Sequence, residues 1–270
     1  MPVLVGTAVA RADGHVIVWR SVLALLVALA LQVGVNFAND YSDGVRGTDA
    51  ERAGPVRLVA GGLASPGAVR NVAWLCFGLA GLAGLVLALV SSPWLLLVGA
   101  ASIAAAWFYT GGPKPYGYSG FGEVFVFVFF GVVAVTGTAY VSLGKVTSLA
   151  LLAAVPVGLL SVALLVVNNL RDIPTDRTSG KNTLAVRLGD QYTRMLYVFC
   201  LGCAFLFAIT VAVSRHRPGA LVALAAVLLA FGPIRLVLRG AGGRGLIPVL
   251  AMTGRLLLVF GILFAIGIAL

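Results

Sequence analysis

Long apolar runs separated by short polar segments dominate the sequence. A helix needs about 20 apolar residues to cross the hydrocarbon core of a bilayer. The run at 2–10 is shorter than that, and we expect it to be the end of a short or truncated first helix. The pattern therefore predicts an all-α membrane bundle of about nine transmembrane helices around a central cavity, in one domain over residues 1–270. The eight full spans are predicted at 16–38, 71–90, 93–109, 123–142, 147–169, 195–213, 219–238 and 246–270.

Composition supports a membrane protein. Of the 270 residues, 60% are apolar and only 10% are charged, and the mean hydropathy is +1.05. Soluble domains average about 25% charged residues. The net charge of +10 does not indicate nucleic acid, because the basic residues occupy short loops and form no stripe with interleaved aromatics. The expected partner is the lipid bilayer, with no nucleic acid.

The basic residues are unevenly divided between the two ends of the predicted bundle. With the short run at 2–10 counted as the first helix, the loops after the even-numbered helices hold thirteen basic residues and the other loops hold five. Positive loops face the cytoplasm, so we expect a multi-pass protein of the cell (inner) membrane with cytoplasmic active-site loops at 39–70 and 170–194. The thirteen are Arg46, Arg52, Arg57, Arg70, Lys114, Arg171, Arg177, Lys181, Arg187, Arg194, Arg235, Arg239 and Arg244.

A polar cluster lies at the end of the span predicted at 16–38. The chain has nine acidic residues, and Asp40 and Asp43 follow Asn36 and Asn39 there. If the helix continues for a turn or so, Asn36, Asp40 and Asp43 share one face. Neighbouring carboxylates repel unless cations lie among them. Oxygen ligands of this kind suit Mg²⁺, which keeps several waters and is completed by substrate phosphates.

A second polar cluster lies at the end of the span predicted at 147–169. Asn168, Asp172 and Asp176 are spaced four residues apart and share a face, until Pro174 weakens the helix. Two acid and amide clusters at the same kind of helix end are expected to form the halves of one site.

The segment between 109 and 123 combines glycine, proline and aromatic residues. Glycine and proline disfavour a regular helix there, and the aromatic residues together with Lys114 and Glu123 predict a loop that lines the substrate. Aromatic faces stabilise carbocations, although aromatics at these positions are also typical of the membrane interface. The candidates are Tyr41, Phe108, Tyr109, Tyr116 and Tyr118.

Paired carboxylates with Mg²⁺, surrounding basic residues and an apolar bundle together favour one kind of substrate, a diphosphate on a long hydrocarbon tail. Two other classes share part of this pattern. A CDP-alcohol phosphotransferase motif also begins like Asp40-x-x-Asp43-Gly44, but the following spacing differs. A cation-coupled transporter places acids near the middle of the membrane, whereas these acids close helices beside basic loops.

The motif loops resemble those of the UbiA superfamily of intramembrane prenyltransferases. The strings are ANDYSDGVRGTD, GPVR and NNLRDIPTDRTSGKNTLAVRLG, and they are most similar to the branch that makes menaquinone precursors. The resemblance implies Mg²⁺-dependent transfer of a polyprenyl group from polyprenyl diphosphate to 1,4-dihydroxy-2-naphthoate, with loss of CO₂, to give demethylmenaquinol. A related aromatic acceptor such as 4-hydroxybenzoate is the alternative.

The resemblance also implies roles for individual residues. The four aspartates are the expected catalytic residues and, with Asn39, the metal ligands. Many superfamily members carry a further aspartate where this chain has Gly47, and the next acid is Asp49. The expected magnesium ligands are Asn39, Asp40, Asp43, Asp172 and Asp176. The expected substrate-binding residues are Asn36, Asn39, Arg46, Tyr109, Lys114, Asn168, Asn169, Arg171 and Lys181.

Overall fold

A computed structural model describes residues 1–48 and 56–270 of the chain. Throughout these ranges the backbone forms helices and turns, with no strand. Asp49 and the rest of the first motif loop up to residue 55 lie outside the described residues. The all-α prediction is confirmed for the part of the chain that the structure covers.

Nine helices follow one another in the described chain. Seven of them, α2, α3 and α5 to α9, are long and apolar enough to cross a membrane, while α4 is apolar but has only 15 residues and α1 has 12. The predicted number of about nine is therefore approximate. The helices are α1 (Pro2–Asp13), α2 (Val18–Arg46), α3 (Pro66–Val90), α4 (Trp94–Phe108), α5 (Gly122–Leu143), α6 (Ser148–Thr178), α7 (Leu184–Ser214), α8 (Pro218–Leu238) and α9 (Gly243–Ala269).

The two motif loops are shorter than the predicted 39–70 and 170–194, because helices occupy part of both ranges. Helix α2 continues to Arg46, where Gly47 in the left-handed region (φ 72°) ends it and donates its N–H to the Gly44 carbonyl. Helix α6 continues through Pro174 to Thr178. The hydroxyl of Thr183 then accepts from the Val186 N–H and caps the start of α7. Both acidic clusters are therefore held on helices.

Helix α6 lies at the centre of the bundle. In its most apolar 18-residue window 61% of the residues are buried, against 17% in α2. It packs closely on α5, since a Cβ added at Gly131 would lie 2.7 Å from the Gly158 Cα. The main core joins residues of α1 and α5 to α9. A smaller core joins Ala38, Ala73 and Phe77 of α2 and α3, with side chains of α4 packed against it.

The segment between α4 and α5 is not a regular helix, as predicted. It contains a short 3-10 helix, Tyr116–Ser119. The Tyr116 hydroxyl donates to the Ala105 carbonyl at 2.7 Å, which ties the segment to α4. The Tyr118 carbonyl accepts from the Asn182 N–H at 2.9 Å, which ties it to the α6–α7 turn. The end of α2, this segment and the end of α6 therefore meet at one end of the bundle.

Candidate active site at the ends of two helices

Asp40 lies at the end of α2 and is held by backbone donors. Its side chain is buried, with 5% of the residue exposed. One carboxylate oxygen accepts from the Leu58 N–H at 2.9 Å and the other from the Val59 N–H at 3.0 Å. Donors to both oxygens fix the orientation of the carboxylate. Asp40 therefore fixes the end of the first motif loop against α2.

Asp43, one turn further along α2, contacts the other helix end. Its carboxylate lies 3.2 Å from the Lys181 ammonium and accepts a hydrogen bond from the Tyr118 hydroxyl. Lys181 belongs to the α6–α7 turn, and its N–H donates to the Asp176 carbonyl at 2.8 Å. One residue thus connects α2 to α6, and the two acidic clusters converge as the sequence analysis expects.

Tyr118 lies under two cations. The Lys181 Nζ is 4.8 Å from the centre of its ring and the Arg46 Cζ is 5.4 Å from it. Burial, and next the negative charge of Asp43, raise the pKa of Tyr118 above its ordinary value of 10.0. The hydroxyl therefore stays protonated near neutral pH and remains a donor to Asp43.

The end of α6 is neutralised from within its own helix. The Arg171 guanidinium donates two hydrogen bonds to the Asp172 carboxylate, at 2.7 Å and 2.6 Å. It also donates to the Asn168 Oδ1 at 2.9 Å. Arg171 and Asp172 are buried, with 4% and 6% exposed. Paired charges of this kind lower the cost of placing an acid at the edge of an apolar bundle.

Asp176 also faces the α6–α7 turn. The Thr183 hydroxyl lies 3.5 Å from one of its carboxylate oxygens, and the residue is 8% exposed. The turn from Asp176 to Thr183 therefore places the Lys181 ammonium beside the Asp43 carboxylate of α2.

The segment after α4 is attached to the end of α2 by two residues. The Arg46 guanidinium donates to the carbonyls of Thr110 and Gly112. The Asn39 side-chain oxygen accepts from the Thr110 hydroxyl at 2.8 Å. Both predicted residues thus lie at the site, and in this structure their polar groups position the segment.

Two predicted residues are not brought into this cluster. Asn36 is exposed and its amide donates to the Gln32 carbonyl of its own helix. Lys114 is exposed and forms no hydrogen bond or ion pair with the residues that the structure describes. Their roles in substrate binding stay predictions.

Tyr109 directly follows α4, at the start of the segment that leads to α5. Its ring packs edge-on against Tyr116, with the ring centres 5.4 Å apart. Burial raises the pKa of Tyr109 above 10.0, and the charges of Glu123, Asp43 and Asp176 act in the same direction. Of the other aromatic candidates, Tyr116 stacks on Phe125 with ring centres 3.9 Å apart.

Two contacts at the site were not predicted from the sequence. The first is the Thr110 hydroxyl, which has no distinguishing pattern. The second is the pair formed by Asn169 of α6 and Glu123 at the start of α5, whose amide and carboxylate lie 2.9 Å apart. A signal for Glu123 existed, since it is the only acid between Glu51 and Asp172.

The chemistry of the donors limits the metal that the site can hold. Carboxylate and amide oxygens are hard ligands that suit Mg²⁺. Within residues 1–48 and 56–270 no three His, Cys, Asp or Glu side chains group closely enough to enclose a metal. Mg²⁺ is commonly bound through one or two carboxylates and completed by substrate phosphates. The residues present fit Mg²⁺ bound together with a phosphorylated substrate.

Comparison with solved structures supports the fold. The solved structure of digeranylgeranylglyceryl phosphate synthase aligns with 99% of this chain and 92% of its own, with a TM-score of 0.62. The sequence identity is 13%, so the likeness concerns the fold alone.

Sequence relatives carry more specific names. The chain is 53% identical to 1,4-dihydroxy-2-naphthoate octaprenyltransferase of Mycobacterium tuberculosis, over 99% of this chain and 91% of the relative. It is 37% identical to the protein of the same name from Escherichia coli, over 98% and 89%. The UbiA prenyltransferase family matches residues 1–244. These matches agree with the helical bundle and its two converging acidic helix ends, and they show that the chain belongs to the UbiA prenyltransferase family.

Proposed function

We propose that the protein transfers a polyprenyl group from polyprenyl diphosphate to 1,4-dihydroxy-2-naphthoate, with decarboxylation, to give demethylmenaquinol in menaquinone biosynthesis. Relatives at 53% and 37% identity bear the name of this activity. The observation that carries the proposal is the 3.2 Å contact between Lys181 and Asp43. It joins the two acidic helix ends into one site at the mouth of an apolar bundle.

The acidic residues and their basic neighbours have complementary roles in this proposal. Mg²⁺ bound by the acidic cluster would neutralise charge on the leaving diphosphate. Lys181, Arg171 and Arg46 lie among these acids and bring positive charge to the same place. The residues that would hold Mg²⁺ are Asn39, Asp40, Asp43, Asp172 and Asp176.

The bundle suits the hydrocarbon tail. Diphosphate departure leaves positive charge on the allylic C1 carbon, and aromatic faces stabilise such charge. Tyr109, Tyr116 and Tyr118 lie in the segment that covers the site, and the apolar α5 and α6 continue from it into the bundle. The tail therefore has an apolar environment directly beside the diphosphate site.

We place the protein in the inner membrane with this site on the cytoplasmic side. The excess of arginine and lysine in the loops at the site end supports this orientation. A cytoplasmic site also suits the acceptor, because a charged naphthoate in the cytoplasm reaches it without crossing the bilayer.

Purified protein should be incubated with a polyprenyl diphosphate, Mg²⁺ and a panel of hydroxy-aromatic acids, with product followed by chromatography. We expect demethylmenaquinol from 1,4-dihydroxy-2-naphthoate and no turnover after chelation of divalent ions. Product from 4-hydroxybenzoate in preference to the naphthoate would replace the proposed acceptor. Undiminished turnover in the chelated sample would contradict the proposed use of Mg²⁺.

A further inference from the structure

Glu123 lies in the interior of the protein, and its two carboxylate oxygens have different surroundings. The residue is the second of α5 and is 6% exposed. Its Oε1 accepts from the Asn169 amide at 2.9 Å. Its Oε2 is buried and has no hydrogen-bond partner among the described residues. One half of this carboxyl group is therefore fixed and the other half is available.

Such an arrangement is costly unless a ligand uses it. Burying a polar group without a hydrogen bond is unfavourable, and acids within membrane helices are rare outside functional sites. A purely structural carboxylate would be expected to have both oxygens satisfied. The free oxygen therefore points to a ligand with a proton to donate.

The position of Glu123 relative to the site indicates which ligand. Asn169 precedes Asp172 by three residues on α6, which places it about 4.5 Å further into the bundle at about 1.5 Å per residue. A Cβ added at Gly122, the residue before Glu123, would lie 3.3 Å from the Tyr109 hydroxyl oxygen. Glu123 is thus one helical turn on the bilayer side of the diphosphate site, where C1 of the prenyl group and the aromatic acceptor must meet.

We propose that Glu123 is a catalytic residue that accepts the proton of the acceptor hydroxyl adjacent to the carboxylate. This inference rests on the proposed function. The bond between C1 of the prenyl group and the diphosphate oxygen breaks, diphosphate leaves, and the carboxylate-bearing ring carbon forms its bond to C1. The hydroxyl proton moves to Oε2 of Glu123 and the C–O bond becomes a carbonyl. The product of this step is a β-keto carboxylate.

Decarboxylation then completes the cycle. The bond from the ring to the carboxylate breaks, CO₂ leaves, and the electron pair restores the aromatic ring. The ring oxygen takes back the proton from Glu123. No proton is gained or lost overall, and Glu123 returns to its starting form.

The surroundings of Glu123 suit a group that holds a proton briefly. Asn169 fixes the orientation of the carboxyl group through Oε1. The ionisable groups near it on packed elements are Tyr109 and Cys200, which carry no positive charge. Among the described residues the cations of the site pair with other acids, Lys181 with Asp43 and Arg171 with Asp172.

The test is Glu123→Gln, which keeps the shape and the oxygen that Asn169 contacts but cannot accept a proton. We expect kcat for demethylmenaquinol formation to fall about 100-fold or more. Mg²⁺-dependent binding of a polyprenyl thiodiphosphate and the unfolding temperature should match the wild type. A fluorinated naphthoate with a more acidic hydroxyl should recover at least about tenfold in the variant, since its proton is already lost. Asp190→Asn, at an exposed acid paired with Arg194, is the matched control.

The assignment is overturned if Glu123→Gln turns over within about threefold of the wild type. It is also overturned if donor binding falls as much as kcat does, or if the more acidic acceptor gives no gain. Should Glu123→Gln not fold, Glu123→Asp keeps a base and must retain reduced turnover, and a folded but inactive Asp variant counts against it. If the wild type forms no product, the proposed function fails and the inference falls with it. Failure of the Glu123 test alone leaves the proposed function intact.

Discussion

The two acidic helix ends are held in different ways. At the end of α2, Asp40 is bound by two backbone N–H groups of the chain that follows the motif loop, at 2.9 Å and 3.0 Å. At the end of α6, Asp172 is paired with the guanidinium of its neighbour Arg171. The first end depends on a loop for its geometry, whereas the second carries its compensating charge within the same helix.

This difference separates positioning from charge balance. Neutral donors fix the direction of a carboxylate and leave its charge in place. A bidentate arginine cancels the charge locally and becomes an unpaired buried cation when the acid is removed. Lys181 connects the two ends through Asp43 and the Asp176 carbonyl. The site therefore needs both ends, but loss of either should affect stability differently.

The largest effects are expected from Asp40→Ala and Asp172→Ala. Each removes charge stabilisation worth several kcal/mol in metal-assisted reactions, so turnover should fall by about 10³-fold or more. Asp172→Ala should also lower stability by about 3–5 kcal/mol, because the buried Arg171 loses the negative charge that balances it. Asp40→Ala should cost about 1–3 kcal/mol, since it leaves two backbone donors. Activity assays and denaturant titrations in detergent measure both quantities.

The control for these variants is Asp190→Asn. Its ion pair with Arg194 has a carboxylate side chain that is 61% exposed, and exposed pairs contribute about 0–1 kcal/mol. Near-normal activity of Asp40→Ala or Asp172→Ala in saturating Mg²⁺ would refute a shared site. Equal stability losses would remove the distinction between the two ends.

An intermediate effect is expected from Lys181→Met, which removes the connection between the ends. Hydrogen bonds to charged groups contribute about 1.5–3 kcal/mol, which corresponds to about a 10- to 100-fold loss in kcat/KM for the diphosphate. Lys145→Met, an exposed lysine at the opposite end of the bundle, should behave as wild type. If both variants have the same kinetics, Lys181 does not act at the site.

The smallest effect is expected from Tyr118→Phe. The ring beneath Lys181 and Arg46 is kept, and only the hydroxyl that donates to Asp43 is lost. A net contribution of about 0.5–1.5 kcal/mol corresponds to about a two- to tenfold loss in kcat/KM. Tyr192→Phe, at an exposed ring on α7, is the matched control and should show no loss. A change of more than about 100-fold would assign Tyr118 a direct chemical role.

Most of the fold could be predicted because long apolar runs leave few alternatives to membrane helices. The extension of α2 and α6 into their polar ends was only partly predictable. Those residues look like loop in composition, but α2 continues until Gly47 in the left-handed region ends it, and α6 continues through Pro174 to Thr178. The four-residue spacing of Asp172 and Asp176 did indicate a shared helix face.

The partners of the site residues could not be predicted in the same way. Sequence spacing describes neighbours along one helix, but Lys181 and Asp43 are brought together by packing between distant segments. The same reasoning gave similar roles to Lys181 and Lys114, of which one is buried beside Asp43 and the other is exposed. Glu123 received no role of its own from the sequence, because an acid at the start of an apolar span resembles a common helix beginning.

Binding of a non-reactive polyprenyl thiodiphosphate, measured with and without Mg²⁺, tests the shared site most directly. Wild-type protein, Asp40→Asn and Asp172→Asn should be compared by titration under identical conditions. We predict that Mg²⁺ strengthens binding to the wild type and has little effect on either variant. Full Mg²⁺-dependent affinity in one variant would contradict a diphosphate site built from both helix ends.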